Sequence, residues 1–315
     1  MKIIFLGTPE FAVPSLDILV KNGYDVTAVI TASAKKAGRG LQLKQPAIKE
    51  YADAAGIKTY QPEKLSDPIF LNEIKSLNAD LFIVVAFRML PEALWKMPKH
   101  GTFNLHSSLL PQYRGAAPIN RVIMNGETET GVTTFFLKHE IDTGNIILQE
   151  KINILPDETA GELHDRMKFI GAELLLKTVR EIETDTVVLK DQDKLISGQL
   201  KTAPKIFQED CRIKWNETAE KIHNQVRGLS PFPGAFTTIE NISGSKLLLK
   251  IFRSAKSESW NNMESGKITI ENNRLFIDCS NERLEIIEVQ LEGKKRNRAS
   301  EFIRGFRIEN GWKAL

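Results

Sequence analysis

The 315 residues carry 43 Lys and Arg against 40 Asp and Glu, a net charge of +3, with 42% hydrophobic and 26% charged side chains. Such proportions are ordinary for a soluble globular chain with room for two cores, and no apolar run is long enough for a signal peptide or a spanning helix. Two cysteines, Cys211 and Cys279, exclude a disulfide framework or a four-ligand zinc site and fit a reduced, cytoplasmic setting.

Strand-like runs at 2–6, 25–31, 81–86 and 101–105 alternate with helical patterns near 14–21, 46–55 and 68–77. Alternation of this kind predicts right-handed crossovers and an α/β fold with a doubly wound, Rossmann-like parallel sheet. Ligands bind such sheets beyond the carboxyl ends of the strands. Strands over 131–137 and 146–152 are predicted to form a hairpin. The stripe Leu163, Met167, Ile170, Leu174 and Leu175 predicts a long helix over 160–183. Residues 190–206 are polar, contain Gly198 and Pro204, and read as a linker. Beyond it, a helix at 217–227 precedes short strands at 235–239, 246–252, 267–270, 274–278 and 284–289, with a last helix at 299–306. Turns such as Ser243-Gly244 and Asn272-Asn273 separate the strands, and the rhythm predicts a smaller C-terminal β-barrel of the OB type. The expected organisation is a first domain over 1–189, a linker over 190–206 and a second domain over 207–315. Basic and acidic side chains number 21 and 23 in the first domain, 4 and 2 in the linker, and 18 and 15 in the second domain. The basic excess therefore lies beyond residue 189, which suits a polyanionic partner.

The most informative run is Asn104-Leu105-His106-Ser107-Ser108-Leu109-Leu110-Pro111, closed by Tyr113-Arg114-Gly115. Strand alternation projects Asn104 and His106 together. An amide beside an imidazole can stabilise developing charge and handle a proton. A second loop, His139-Glu140-Ile141-Asp142-Thr143-Gly144, brings a carboxylate, and the three together describe a group-transfer site that needs no metal. Taken singly, Asn104 could be a turn or cap residue and Asp142 simple turn chemistry; their joint occurrence favours function. His100, His139, His164 and His223 read as satisfied surface or core residues. Alternation sends Ser107 to the opposite face and no Gly-x-Ser-x-Gly elbow exists, so a hydrolase is unsupported. Gly7-Thr8-Pro9 lacks the dinucleotide fingerprint, so a nicotinamide enzyme is unsupported too. The run Lys294-Lys295-Arg296-Asn297-Arg298 is either a solvated turn or a set of phosphate contacts.

Asn104-x-His106 with Ser108-Leu109-Leu110-Pro111-x-Tyr113-Arg114-Gly115 and Asp142-Thr143-Gly144 resembles the folate-dependent formyltransferase family. Gly7-Thr8-Pro9-Glu10-Phe11-Ala12, Ala37-Gly38-Arg39-Gly40, Lys201-Thr202-Ala203-Pro204-Lys205-Ile206 and Arg227-Gly228-Leu229-Ser230-Pro231-Phe232-Pro233-Gly234-Ala235 carry the likeness nearly end to end. The first three of these stretches are similar to the branch that acts on methionyl-tRNA. Where many relatives have Tyr-Gly, this chain has Phe87-Arg88, a departure that bears on the folate pocket wall and not on the reaction. The resemblance implies a catalytic first domain and a tRNA-binding barrel. A formyl group would pass from 10-formyltetrahydrofolate, a co-substrate, to the α-amino group of initiator methionyl-tRNA, giving the formylated tRNA for translation initiation. Asn104, His106 and Asp142 would carry the chemistry. Ser108, Leu109, Leu110 and Pro111 would form part of the folate site; Phe87, Arg88, Met89 and Leu90 read either as a second wall or as a strand-to-helix loop ahead of Pro91. Arg39 would contact the acceptor end of the tRNA, and Lys294, Lys295, Arg296 and Arg298 are candidate phosphate contacts. A cytoplasmic monomer with no metal and no membrane partner is expected. Competing readings are formyl transfer to an amino sugar or a glycinamide nucleotide, and a non-catalytic RNA-binding protein. The linker, basic loop and barrel argue against the first, and the intact Asn104, His106 and Asp142 against the second.

Overall fold

The computed structural model describes residues 1–37, 42–257, 264–306 and 311–315. Two compact units emerge, and neither is one continuous stretch. The first comprises Met1–Gly115, Thr130–Ile152 and His164–Thr202; the second comprises Ala116–Glu129, Asn153–Leu163 and Ala203–Leu315.

The first unit is a seven-stranded sheet built from β1 (Lys2–Gly7), β2 (Asp25–Ile30), β3 (Thr59–Tyr60), β4 (Leu81–Val85), β5 (Thr102–His106), β6 (Glu129–Phe136) and β7 (Ile146–Asn153), in the order β7-β6-β5-β4-β1-β2-β3. The five strands from β5 to β3 are parallel, and β6 runs antiparallel to β5. In β4 every position is apolar and buried, as a strand covered on both faces requires. Crossover helices α1 (Val13–Lys21), α2 (Ala47–Ala54) and α3 (Pro68–Ser76) separate the early strands. Pro14 stands in the first turn of α1, where its missing N–H costs nothing, and Asp67 caps α3 by accepting from Ile69 and Phe70 N–H. A single turn, α4 (Glu92–Trp95), leads to β5, and α5 (Pro118–Met124), whose residues belong to the second unit, lies between β5 and β6 in the chain. Helix α6 (Ala160–Glu183) follows β7, with Met167, Leu174 and Leu175 buried. It lies close enough to β5 that a Cβ on Gly171 would come within 2.9 Å of Leu105 Cδ2. Strand order reverses between β1 and β4, so the carboxyl ends of β4 and β5 open onto the crevice where such sheets take ligands. Residues 190–202 remain part of this unit: Lys190 bridges to Ile146 of β7 through N–H···O bonds of 2.8 and 2.9 Å.

The second unit packs α7 (Ala219–Leu229) with α5 and a nearly closed antiparallel barrel. Its strands are β8 (Ala235–Glu240), β9 (Lys246–Lys256), β10 (Ile268–Glu271), β11 (Arg274–Asp278), β12 (Arg283–Leu291), β13 (Asn297–Arg298) and, after α8 (Ala299–Gly305), β14 (Lys313–Ala314). The order is β10-β11-β12-β9-β8-β14, with β13 on β12. Bridging of Lys267 to Lys313 joins the two outer edges. Gly266 makes that seam possible, since a Cβ there would lie 2.2 Å from the Ala314 carbonyl oxygen. Strand β9 continues four residues past the expected stop at 252. Register shifts between Ile251 and Ser254 bend it, so that one strand serves β8 along one stretch and β12 along another. Within this unit His223 is buried, with Nδ1 3.1 Å from Ser254 Oγ and Nε2 3.3 Å from Asp157 Oδ1. Among the described residues, no helix is long and apolar enough to cross a membrane.

Candidate active site

Strand β5 delivers the first two candidate groups. Asn104 pairs in register with Val84 on one side and Phe135 on the other, which fixes its height at the end of the sheet. Leu105 turns the opposite way and is buried, while Asn104 is half-buried and His106 is 7% exposed. The imidazole Nε2 lies 3.0 Å from the Tyr113 carbonyl oxygen. A carbonyl oxygen accepts and cannot donate, so Nε2 carries a hydrogen. Nδ1 therefore faces the carboxylate of Asp142, whose Oδ2 is 3.9 Å away. In the neutral ring that nitrogen is a proton acceptor; in the charged ring it is a donor beside an anion. The Phe135 ring meets the imidazole edge-on at 6.5 Å and gives it an apolar wall.

Asp142 sits in the reversal between β6 and β7. Its φ is +54°, a left-handed conformation that Asp tolerates better than most residues. Two residues on, Gly144 runs so close to β6 that a Cβ would lie 1.6 Å from the Phe136 carbonyl oxygen. Asp142 Oδ2 accepts the Gly115 N–H at 2.9 Å, so the turn that offers the Tyr113 carbonyl to His106 also orients the carboxylate. Beneath both lies Gln192, fully buried in the short 3-10 turn Gln192–Leu195. Its Oε1 accepts from Arg114 Nε at 3.0 Å and Nη2 at 2.7 Å. Its Nε2 donates to the carbonyls of Asp142 at 2.9 Å and Gly144 at 2.7 Å.

The loop after β5 is held from below. Ser108 is fully buried and donates to the Gln112 carbonyl at 2.7 Å. Thr133 Oγ1 donates to the Ser108 carbonyl at 2.6 Å and accepts from Leu110 N–H at 3.2 Å. Gln149 Nε2 reaches both the Leu110 carbonyl and Thr133 Oγ1, at 2.9 and 3.0 Å. The Leu110-Pro111 peptide is cis, Leu110 clusters with Phe135 and Ile146, and Leu109 is half-exposed. Residues 87–90 follow β4, the parallel neighbour of β5, so both loops leave the same end of the sheet. There Met89 is exposed, Leu90 belongs to the core beside Leu94, and Phe87 packs on that core. Arg88 donates to the carbonyls of Pro62 at 2.6 Å and Glu63 at 2.9 Å.

Of the residues expected to meet tRNA, Arg39 lies outside the described residues. Lys294, Lys295, Arg296 and Arg298 are all exposed on one stretch of the second unit between β12 and α8. Arg296 pairs with Glu288 at 2.5 Å and covers the Phe252 ring at 4.3 Å. Sequence reasoning missed Thr133, Gln149 and Gln192 and gave Arg114 no role of its own, although these groups hold the site's loops. Thr133 left a faint signal, as one of three threonines in the apolar and buried run of β6; Gln192 left none.

Family models for formyl transferase and for the formyl transferase C-terminal domain match residues 1–179 and 205–307. The chain is 44% identical over 315 residues to the methionyl-tRNA formyltransferase of Bacteroides thetaiotaomicron, covering 99% of this chain and 98% of that one. It is 48% identical over 309 residues to the methionyl-tRNA formyltransferase of Azobacteroides pseudotrichonymphae, covering 96% and 95%. In fold it is similar to the N-formyltransferase from Helicobacter canadensis, crystallised with folinic acid and dTDP-3-aminofucose. That likeness has a TM-score of 0.65 at 24% identity, over 91% of this chain and 99% of that one. Matched in both its parts and along nearly its whole length, the chain belongs to the formyltransferase family.

Proposed function

We propose that this protein transfers the formyl group of 10-formyltetrahydrofolate to the α-amino group of initiator methionyl-tRNA, with Asn104, His106 and Asp142 as its catalytic residues. The observation that carries the reading is the meeting of a half-buried amide, an imidazole and a carboxylate at the carboxyl end of β5. It stands in a chain whose relatives, matched over nearly its whole length, are named methionyl-tRNA formyltransferase. The donor supplies the formyl carbon. As the neutral amine bonds to that carbon, its nitrogen becomes positive and the formyl oxygen negative. Asn104 donates its amide hydrogens to that oxygen. His106 has committed Nε2–H to Tyr113, so Nδ1 takes the proton shed by the amine, and the Asp142 carboxylate stabilises the resulting imidazolium. When the carbon–nitrogen bond to the folate breaks, the same proton goes to the departing nitrogen. No net proton is gained or lost.

Residues 108–111, braced by Thr133 and Gln149, offer a fixed backbone edge to a flat, polar-edged pterin, and Phe87, Arg88, Met89 and Leu90 offer the second wall. Arg39 serves the acceptor end in this reading, and Lys294, Lys295, Arg296 and Arg298 serve phosphates. Neutralising those last four should flatten the salt dependence of tRNA binding. The decisive assay incubates the protein with radiolabelled methionyl-tRNA and the formyl donor, then looks for formylmethionine after deacylation. A parallel arm supplies a dTDP-linked amino sugar. Formylation of the sugar and not of the tRNA overturns the proposal.

A further inference from the structure

We infer that Gln192 is a positioning residue for the reaction, clamping together the two loops that hold the halves of the pair formed by His106 and Asp142. The inference rests on the catalytic reading above. Burying a neutral amide completely is costly unless its donors and acceptor are used. Here all are used: two N–H groups of Arg114 meet Oε1, and both hydrogens of Nε2 meet carbonyls. That set fixes the orientation of the amide, because a flipped group would turn its hydrogens on the guanidinium and its oxygen on two carbonyls.

Each partner is one step from a reacting group. The first carbonyl belongs to Asp142 itself, and the second to Gly144, where the chain is pressed against Phe136. Arg114 stands between Tyr113, whose carbonyl takes the His106 Nε2–H, and Gly115, whose N–H holds Asp142 Oδ2. The mount is rigid as well. Lys190, two residues earlier, is bridged to Ile146 at the start of β7, and Asp191 Oδ1 accepts the Asp193 N–H at 3.1 Å. Gln192 thus ties the Asp142 loop and the Tyr113-Gly115 turn to one another and to the sheet that carries them.

The test compares the full-length parent with Gln192→Met, which keeps the length and removes every bond, and Gln192→Glu. Glutamate keeps the acceptor for Arg114 and loses the donor to the two carbonyls. Both variants should lower kcat about tenfold or more, since small misplacements of reacting groups are expensive, while KM for methionyl-tRNA and for the donor stays within about twofold. Added to Asp142→Asn, Gln192→Met should cost little more, whereas added to Asn104→Ala its cost should multiply in full. NMR gives a readout independent of turnover: the His106 Nε2–H, shielded against Tyr113 in the parent, should exchange faster with water in Gln192→Met. Parent-like kcat in both variants, or a full multiplicative loss on the Asp142→Asn background, overturns the inference. So does a loss in which KM and kcat change together with unaltered exchange. A parent that makes no formylmethionine while the His106 hydrogen responds as expected would fault the assigned reaction and leave the clamp standing.

Discussion

Among the described residues three histidines sit beside a carboxylate; His164 meets its chain neighbour Asp165 at 3.1 Å with both side chains open to solvent, and of the other two the closer pair is the one with no assigned chemistry. His223 in the second unit has Asp157 at 3.3 Å and a serine hydroxyl at 3.1 Å on its other nitrogen. His106 in the first unit has Asp142 at 3.9 Å and a backbone carbonyl at 3.0 Å. The difference lies in what each group faces. Both nitrogens of His223 are engaged by protein groups, Ser254 is buried in β9, and the Asp157 carboxylate is 81% exposed, where water and salt screen it. Burial first, and then the charge of Arg227, hold His223 below the usual histidine range; Lys256 adds to this and Asp157 opposes it. Asp142 is only 14% exposed, and its partner imidazole stands two residues from a half-buried amide at a strand's carboxyl end. Distance alone would not select the proposed pair. Shielding of the carboxylate and position at the sheet's open end favour His106 with Asp142.

Four experiments sharpen or break that contrast, taken from the largest expected effect to the smallest. Asn104→Ala should fold and bind folate but lower turnover about a hundredfold or more, because a donor to the developing oxyanion is lost. Near-parent turnover in that variant would remove Asn104 from the chemistry. Asp142→Asn keeps an oxygen for the Gly115 N–H and loses the charge, so formylation should slow by about tenfold or more, most at neutral pH and below. A pH–rate profile superimposable on the parent's would mean the carboxylate takes no part in proton handling. His223→Ala should leave kcat within about twofold of the parent while costing about 1–3 kcal/mol in denaturant unfolding, from the buried Ser254 hydroxyl left unpaired and the lost packing of the ring. A large loss of kcat at unchanged stability would overturn the contrast itself.

The fourth experiment is a pH titration of stability. Folded His223 is held below the ordinary histidine value of 6.5, so as pH falls through that value the unfolded chain binds a proton that the folded chain refuses. Stability contributed by this group therefore declines with acidification, over the interval from 6.5 down to the lowered folded value. His223→Gln, which cannot titrate, should show a shallower fall in melting temperature between about pH 7 and pH 5. An unchanged slope would show that other groups dominate the acid limb.

Much of this architecture was legible because it rests on periodic signals. The apolar runs of β1 and β4, the alternation through Asn104, Leu105 and His106, and the stripe on α6 can be read residue by residue. Elements of two residues escaped: β3, β13 and β14 are too short to show alternation, yet β14 forms the barrel's seam. The full length of β9 escaped because the register shifts after Ile251 break the alternation there. Gln192 escaped for a deeper reason. Polar residues buried to hold loops carry the composition of a linker, and only the partners, 78 and 50 residues away in sequence, reveal the difference. The candidates for the reacting groups could be named from the sequence; the framework that holds them could not.

The discontinuous make-up of the second unit has a consequence for engineering by exchange. Its helix α7 presents Gly228 to α5 so closely that a Cβ would lie 2.6 Å from Met124 Cγ, and Asn120 Nδ2 donates to the Gly228 carbonyl at 2.7 Å. Arg227 donates to the carbonyl of Glu158, and Gly161 N–H donates to the carbonyl of Ser230. A chimera made by a single crossover near residue 203 would thus graft a foreign barrel onto resident segments 116–129 and 153–163 that were never fitted to it. Recombination between relatives should preserve a folded product only when those two inserts travel with the barrel, so the inheritable module is three pieces of chain rather than one.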